Sequence, residues 1–204
     1  MLRNRLCDLS WFMRCLAEPI ARRANREDGC KGHFWEARFK CQTLLDETAV
    51  LSAMTYVDLN PVRAKICDSL EGSVHTSARA RLRKIDQDPG QGVTPLAPVL
   101  GLRGFSVLTL RQRDYLELAD HTGRRIHPGK HGVVTGPPPA ALAGIGCSAD
   151  RWQRQVMAVG SEYFRAIGAA DVLIEKAKEI GQFWLRGLVR LGTSPPDGVQ
   201  VVAT

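Results

Sequence analysis

Apolar residues repeat at helical spacing near the start of the chain. They stand at i, i+3, i+4, i+7 and i+11, which places them on one face of a helix: Leu9, Phe12, Met13, Leu16 and Ile20. The pattern predicts an amphipathic helix over residues 8–27, and the Asp28-Gly29 pair ends it.

The period changes to two in residues 32–44. Two sets of side chains alternate there, Phe34, Glu36 and Arg38 against Trp35, Ala37, Phe39 and Cys41. This alternation is typical of a β-strand, and we expect a strand with aromatic side chains on both faces.

A second helix is predicted after Asp46, whose carboxylate can cap it. Its apolar positions return to helical spacing, and we expect its end near Leu59, because a proline disfavours helical geometry in the residue before it. Asn60 and Pro61 match an N-cap and a first helical position, which predicts a kink and a further helix to about Leu70.

Glycine and proline are dense in residues 86–106, which indicates a linker. Thr109 and Gln112 form a capping box for a helix that we expect to stop at Gly123, and a second loop follows over residues 127–146. Ser148 opens the next helix, and a last helix follows it. We therefore predict an α+β domain over residues 1–85, a linker over 86–106, an all-helical domain over 107–193 and a disordered tail over 194–204.

Composition favours a folded protein with an anionic partner. Of 204 residues, 44% are hydrophobic, and 28 Lys and Arg against 21 Asp and Glu give a net charge of +7. The six cysteines form no CxxC pair, so we expect reduced thiols in a cytoplasmic protein and neither a zinc ribbon nor a disulfide scaffold. No apolar stretch reaches the roughly 20 residues that span a bilayer. Nucleic acid is the first candidate partner.

Two motifs are more specific than the composition. GHFWEARFK covers residues 32–40 and YVDLNPVRA covers residues 56–64, and the arginine-rich IARRANREDG precedes them. Together these segments resemble the REP-associated branch of the single-tyrosine transposases over residues 8–70. The resemblance implies the C-terminal part of a ferredoxin-type α/β sandwich, with Tyr56 as the nucleophile and Asn60 as a polar helper.

The chemistry implied by this resemblance is DNA strand cleavage and rejoining through a 5′-phosphotyrosine. A tyrosine with a pKa near 10 is a weak nucleophile at neutral pH, and the family assists it with Mg²⁺ or Mn²⁺ held by two histidines separated by one residue. None of the five histidines here lies two positions from another. We therefore expect an N-terminally truncated relative that lacks the histidine-pair strand and does not bind the metal itself.

Basic side chains near these motifs are the candidate DNA contacts. They are Arg22, Arg23, Arg26, Arg38, Lys40 and Arg63. For each of them a solvated basic face is the alternative, and for Tyr56 and Asn60 the alternatives are a half-buried core residue and an N-cap.

Three functions stay open at this point. The first is a transposase-related protein that acts on single-stranded or hairpin DNA, and the second is a catalytically inactive DNA-binding remnant or regulator. The third is a helical interaction module over residues 107–192. Family members act as monomers or homodimers, and the sequence does not choose between these states.

Overall fold

The computed structural model describes residues 5–97, 110–126, 137–161, 165–182 and 185. Its contacts divide the chain into two compact units, Met1–Cys41 and Gln42–Thr204, and each unit is described by itself. Residues 98–106 of the predicted linker (86–106) and the predicted tail at 194–204 lie outside the described residues. The fold is α+β and mostly helical, with seven α-helices and a sheet of two strands in the described ranges.

The first unit is built on one helix, α1 (Leu9–Glu27). The Asp8 carboxylate accepts a 2.7 Å hydrogen bond from the backbone N–H of Ser10 and caps the helix, so the predicted helix over residues 8–27 is confirmed. None of its residues is buried, and Phe12 is 61% exposed. The apolar spacing thus predicted the helix, but the apolar face of the helix is not buried.

The strand predicted over residues 32–44 is wrong for most of its length, since only Thr43 and Leu44 are in a strand. Residues 31–40 instead return beside α1. The indole N–H of Trp35 donates to the carbonyl of Ala17 at 3.1 Å, and the Asn25 amide donates to the carbonyl of Gly32 at 3.0 Å. Side chains and carbonyls of the helix satisfy this segment locally, and no strand of the described unit is beside it to form a ladder.

The second unit begins with strand β1 (Thr43–Leu44) and helix α2 (Glu47–Arg63). Asp46 accepts a 2.7 Å hydrogen bond from the backbone N–H of Ala49, which confirms the predicted cap. The kink at Asn60 and Pro61 is wrong, because α2 runs through Pro61 without interruption. A proline in the last turn removes only one helical hydrogen bond, and the chain turns at Ala64 and Lys65 instead of starting a helix to Leu70.

The remaining elements of the second unit contribute to two buried apolar clusters. They are α3 (Ser77–Gln87), a 3-10 helix (Pro89–Val93), α4 (Gln112–Ile126), α5 (Ala140–Gly144), α6 (Ala149–Ala158), β2 (Ala166–Ile167) and α7 (Ala170–Glu179). Strands β1 and β2 pair in parallel, with Thr43 opposite Ala166 and Leu44 opposite Ile167. Residues 107–193 therefore do not form an all-helical part, since β2 belongs to the described sheet.

Helices on both sides of the predicted linker share this core. Leu51 and Leu59 of α2 lie in one buried cluster with Tyr115 and Leu118 of α4 and Trp152 of α6. The predicted domain limits stay a prediction, but these helices bury their apolar faces together and not in separate cores.

Two predictions are corrected in this region, a helix end and a loop. Helix α4 was expected to stop at Gly123, yet it continues to Ile126, and α5 lies inside the loop predicted over residues 127–146. A Cβ at Gly123 would lie 2.9 Å from Cδ2 of Leu59. Gly123 therefore permits the close approach of α2 and α4 and does not end the helix.

Candidate nucleic-acid contact site around Tyr56

Three of the predicted site residues lie on one face of α2. Tyr56, Asn60 and Arg63 are separated by four and three positions, the spacing at which side chains of a helix are neighbours. Tyr56 and Arg63 are partly buried, whereas Asn60 is exposed. The helix therefore brings together the three residues of the YVDLNPVRA motif that were expected to act.

The guanidinium of Arg63 stacks on the ring of Tyr56. Its Cζ lies 4.5 Å from the ring centroid, within the range of a cation–π contact. The Nη1 atom of Arg63 is buried and has no hydrogen-bond acceptor among the described residues. A buried N–H donor without a partner is uncommon, and a positively charged donor forms its strongest hydrogen bonds with an anionic acceptor.

A turn between residues 158 and 161 packs against Tyr56. Gly160 has a φ of 76°, and a Cβ at this position would lie 2.5 Å from the Tyr56 hydroxyl. The left-handed backbone and the close contact both require glycine. The Tyr56 hydroxyl makes no hydrogen bond to another described residue.

Gln42 holds this turn in place and was not recognised in the sequence. Its Oε1 accepts a 2.8 Å hydrogen bond from the N–H of Gly160, and its Nε2 donates to the carbonyls of Ala158 and Ser161 at 3.1 Å each. One side chain thereby fixes three backbone groups of the turn. No local signal could identify this role, because 118 positions separate Gln42 from Gly160.

Asn60 does not cap a helix, which corrects the structural alternative given above. It lies inside α2, and its carbonyl accepts from the N–H of Ala64 at 2.8 Å. Its side chain lines an open groove of about 590 Å³ together with Val57, His75 and apolar residues of α2. Asn60 is thus a polar group at the border between this groove and the Tyr56–Arg63 pair.

Asp58, in the same motif, is a second residue that the sequence analysis missed. It is 1% exposed, and its carboxylate accepts hydrogen bonds from the hydroxyls of Ser77, at 2.8 and 3.0 Å, and Tyr115, at 2.6 Å. These bonds join α2 to α3 and α4. A signal existed, since Asp58 falls at i+7 from Leu51 and next to Leu59 on the buried face of the helix.

This network also sets the protonation state of Tyr115. Burial raises the pKa of the Tyr115 phenol well above its ordinary value, and the adjacent Asp58 charge raises it further. Tyr115 is therefore a neutral phenol that donates a hydrogen bond to the Asp58 carboxylate. It is a structural donor and not a second nucleophile.

Three of the predicted DNA contacts lie on α1 in the first unit. Arg22, Arg23 and Arg26 line a shallow surface groove with Trp11. Arg22 pairs with Glu18, and Arg23 pairs with Glu27 at 2.8 Å. The basic face is therefore partly neutralised, and Arg26 has no ion pair among the described residues.

Arg38 and Lys40 follow in the irregular segment of the same unit. Arg38 donates a 3.4 Å hydrogen bond to the hydroxyl of Ser10, and its guanidinium lies 5.7 Å from the ring centroid of Phe39. Lys40 is exposed to solvent. The structure thus places five of the six basic candidates in the first unit and Arg63 in the second.

The side chains around Tyr56 are not suitable ligands for Mg²⁺ or Mn²⁺, because these ions prefer carboxylate and carbonyl oxygens. The side chain packed on Tyr56 is a guanidinium, and Asp58 is engaged by Ser77 and Tyr115. Within the described residues, no group of three or more His, Cys, Asp or Glu side chains could hold a metal ion.

Comparisons with protein-family models, with curated proteins and with solved structures gave no match. Among the described residues, no helix is both long enough and apolar enough to cross a membrane.

Proposed function

We propose that this chain is a transposase-related protein that binds single-stranded or hairpin DNA, with a backbone phosphate at Tyr56 and Arg63. The observation that carries the proposal is the buried Nη1 of Arg63, which has no acceptor among the described residues although its guanidinium is stacked on Tyr56 at 4.5 Å. A phosphate oxygen is an anionic acceptor of the geometry that guanidinium groups bind. The net charge of +7 favours the same partner.

The proposed class is a phosphate-binding DNA protein, and the family we propose is that of the REP-associated tyrosine transposases. This assignment depends on the motifs at residues 32–40 and 56–64. It includes descent of residues 8–70 from the C-terminal part of a ferredoxin-type sandwich, and action in the cytoplasm.

In a member of this family that carries the histidine pair, the tyrosine that corresponds to Tyr56 would cleave a DNA strand. The phenolic oxygen forms a bond to phosphorus and the bond from phosphorus to the 3′-oxygen breaks, while the phenolic proton ends on the released 3′-hydroxyl. The product is a 5′-phosphotyrosine link that the 3′-hydroxyl reverses on rejoining. Arg63 would offset the negative charge on the phosphate during this exchange.

The second candidate function is a DNA-binding remnant or regulator that makes no covalent link. The observation that favours it is the side chain packed on Tyr56, which is the Arg63 guanidinium and not a metal-binding carboxylate. It keeps the phosphate contact and predicts binding that weakens steeply with salt.

A hairpin oligonucleotide labelled at its 3′ end separates the two functions. The full chain is incubated with the DNA and MgCl₂, covalent product is measured on a denaturing gel, and binding is measured by anisotropy at low and high salt. Covalent product that disappears in Tyr56→Phe but not in Tyr163→Phe, at a tyrosine outside both motifs, supports the transposase. Salt-sensitive binding without covalent product, weakened by Arg63→Gln, supports the remnant.

Two outcomes contradict these assignments. Covalent product that survives Tyr56→Phe excludes Tyr56 as nucleophile, and absence of binding at low salt overturns both functions.

A further inference from the structure

An apolar groove lies directly beside the Tyr56–Arg63 pair on α2. Its walls include Val50, Met54, Val57, Pro61, Ala64 and Ile66, and its volume is about 590 Å³. Val57 is 61% exposed and Ile66 is 79% exposed, so the walls are open to solvent. A slot of this size and polarity is typical of a site for a small, flat, largely apolar group.

Polar groups stand at one side of this groove. The amide of Asn60 and the imidazole of His75 line it, whereas Asp58 in its wall is already engaged by the Ser77 hydroxyl at 2.8 Å. Asn60 is a helical neighbour of both Tyr56 and Arg63. The groove and the phosphate contact are therefore joined through Asn60.

We propose that this groove holds one unstacked nucleobase of single-stranded DNA, an inference that rests on the proposed phosphate contact at Arg63. The nucleotide would place its phosphate at Arg63 and its base against Val57 and Ile66, with Asn60 on the base edge. Both halves of the site are then matched, since a base has apolar faces and a hydrogen-bonding edge. An apolar protein segment would leave the Asn60 amide and the Arg63 Nη1 without partners.

The amide at the groove border also indicates which base fits best. An asparagine amide can donate to N7 and accept from N6 of adenine in a bidentate pair. Adenine is therefore the expected base, and pyrimidines should bind less tightly.

The test uses the full chain and short single-stranded oligonucleotides that differ at one central nucleotide, which is adenine, a pyrimidine or an abasic site. Binding is followed by anisotropy. The adenine oligonucleotide should bind about tenfold more tightly than the abasic one, because the abasic site has no base to bury against Val57 and Ile66. Ala64→Trp fills the groove and should abolish this difference, whereas Asn60→Ala removes the amide and should abolish the preference for adenine over a pyrimidine. Met157→Trp, at an exposed residue of α6 outside the groove, is the matched control.

The outcomes separate this inference from the proposed function. If adenine and abasic DNA bind equally while Arg63→Gln weakens both, the phosphate contact stands and the base site is overturned. If neither DNA binds, both are overturned. If Ala64→Trp instead changes the sedimentation of the DNA-free protein from dimer to monomer, a second copy covers the groove and the base site is wrong.

Discussion

The carboxylate of Asp58 accepts a 2.6 Å hydrogen bond from the hydroxyl of Tyr115, a residue 57 positions further along the chain. Both side chains are buried, and the bond connects α2, which carries the candidate nucleophile, to α4. The YVDLNPVRA segment therefore has two sides. Its buried side fixes the helix, and its outer side presents Tyr56, Asn60 and Arg63.

Tyr115→Phe should lower the free energy of unfolding by about 1–3 kcal/mol, because the buried Asp58 carboxylate loses one of its donors. The measurement is a urea titration at neutral pH. Tyr56→Phe is the matched control, because it also removes a phenolic hydroxyl, but one that makes no hydrogen bond to another described residue. Equal losses in the two variants would show that the Asp58 bond is not the cause.

His121 should make the protein less stable in mild acid. Its Nδ1 is buried without a partner among the described residues, and burial, followed by the Arg125 charge, lowers its pKa. The unfolded chain takes up the proton near its ordinary pKa of about 6.5, whereas the folded chain takes it up only at lower pH. The stabilisation is therefore present above about pH 6.5 and is lost as the pH falls towards the folded pKa.

This loss is measured as the change in midpoint temperature between about pH 7.5 and about pH 5. The His121→Leu variant should show a smaller change than the parent, and His75→Leu, at an exposed histidine, should not. A parent and a His121→Leu variant with the same pH dependence would exclude His121 as the cause.

Gly160→Ala should destabilise the second unit more than Gly146→Ala does. Both glycines have positive φ, at 76° and 62°, but only a Cβ at Gly160 meets Tyr56, whereas a Cβ at Gly146 has nothing within 4 Å. We expect a loss of about 1 kcal/mol for Gly146→Ala and about 2–4 kcal/mol for Gly160→Ala. Tyr56→Ala should recover part of the larger loss in a double-mutant cycle measured by urea titration, and a cycle without coupling would contradict the packing.

Arg26→Gln should reduce the salt dependence of DNA binding more than Arg22→Gln. Arg22 is paired with Glu18, whereas Arg26 has no ion pair among the described residues. Each phosphate contact contributes about 0.7–0.9 to the slope of log K against log salt. The slope is measured by anisotropy between low and high salt, and two unchanged slopes would remove α1 from the DNA contact.

The local features of this protein could be predicted from residues close together in the sequence. Asp46 and Ser148 cap the helices that follow them, as their side chains and positions predicted. The apolar spacing placed α1 correctly. Caps and helical faces depend on groups a few positions apart, so the sequence contains them directly.

Tertiary packing decided the rest. Residues 32–41 alternate in polarity like a strand, but no described strand of this unit pairs with them. They bind α1 instead, through the indole of Trp35 and through the carbonyl of Gly32, which accepts from Asn25 of the helix. The sequence predicts a helix end at Gly123, but Gly123 lies within α4, at the point where this helix contacts Leu59. Gln42 meets Gly160 and Asp58 meets Tyr115 across 118 and 57 positions. Contacts at such separations depend on how the whole chain folds, because no local pattern records which distant group will satisfy a buried donor or acceptor.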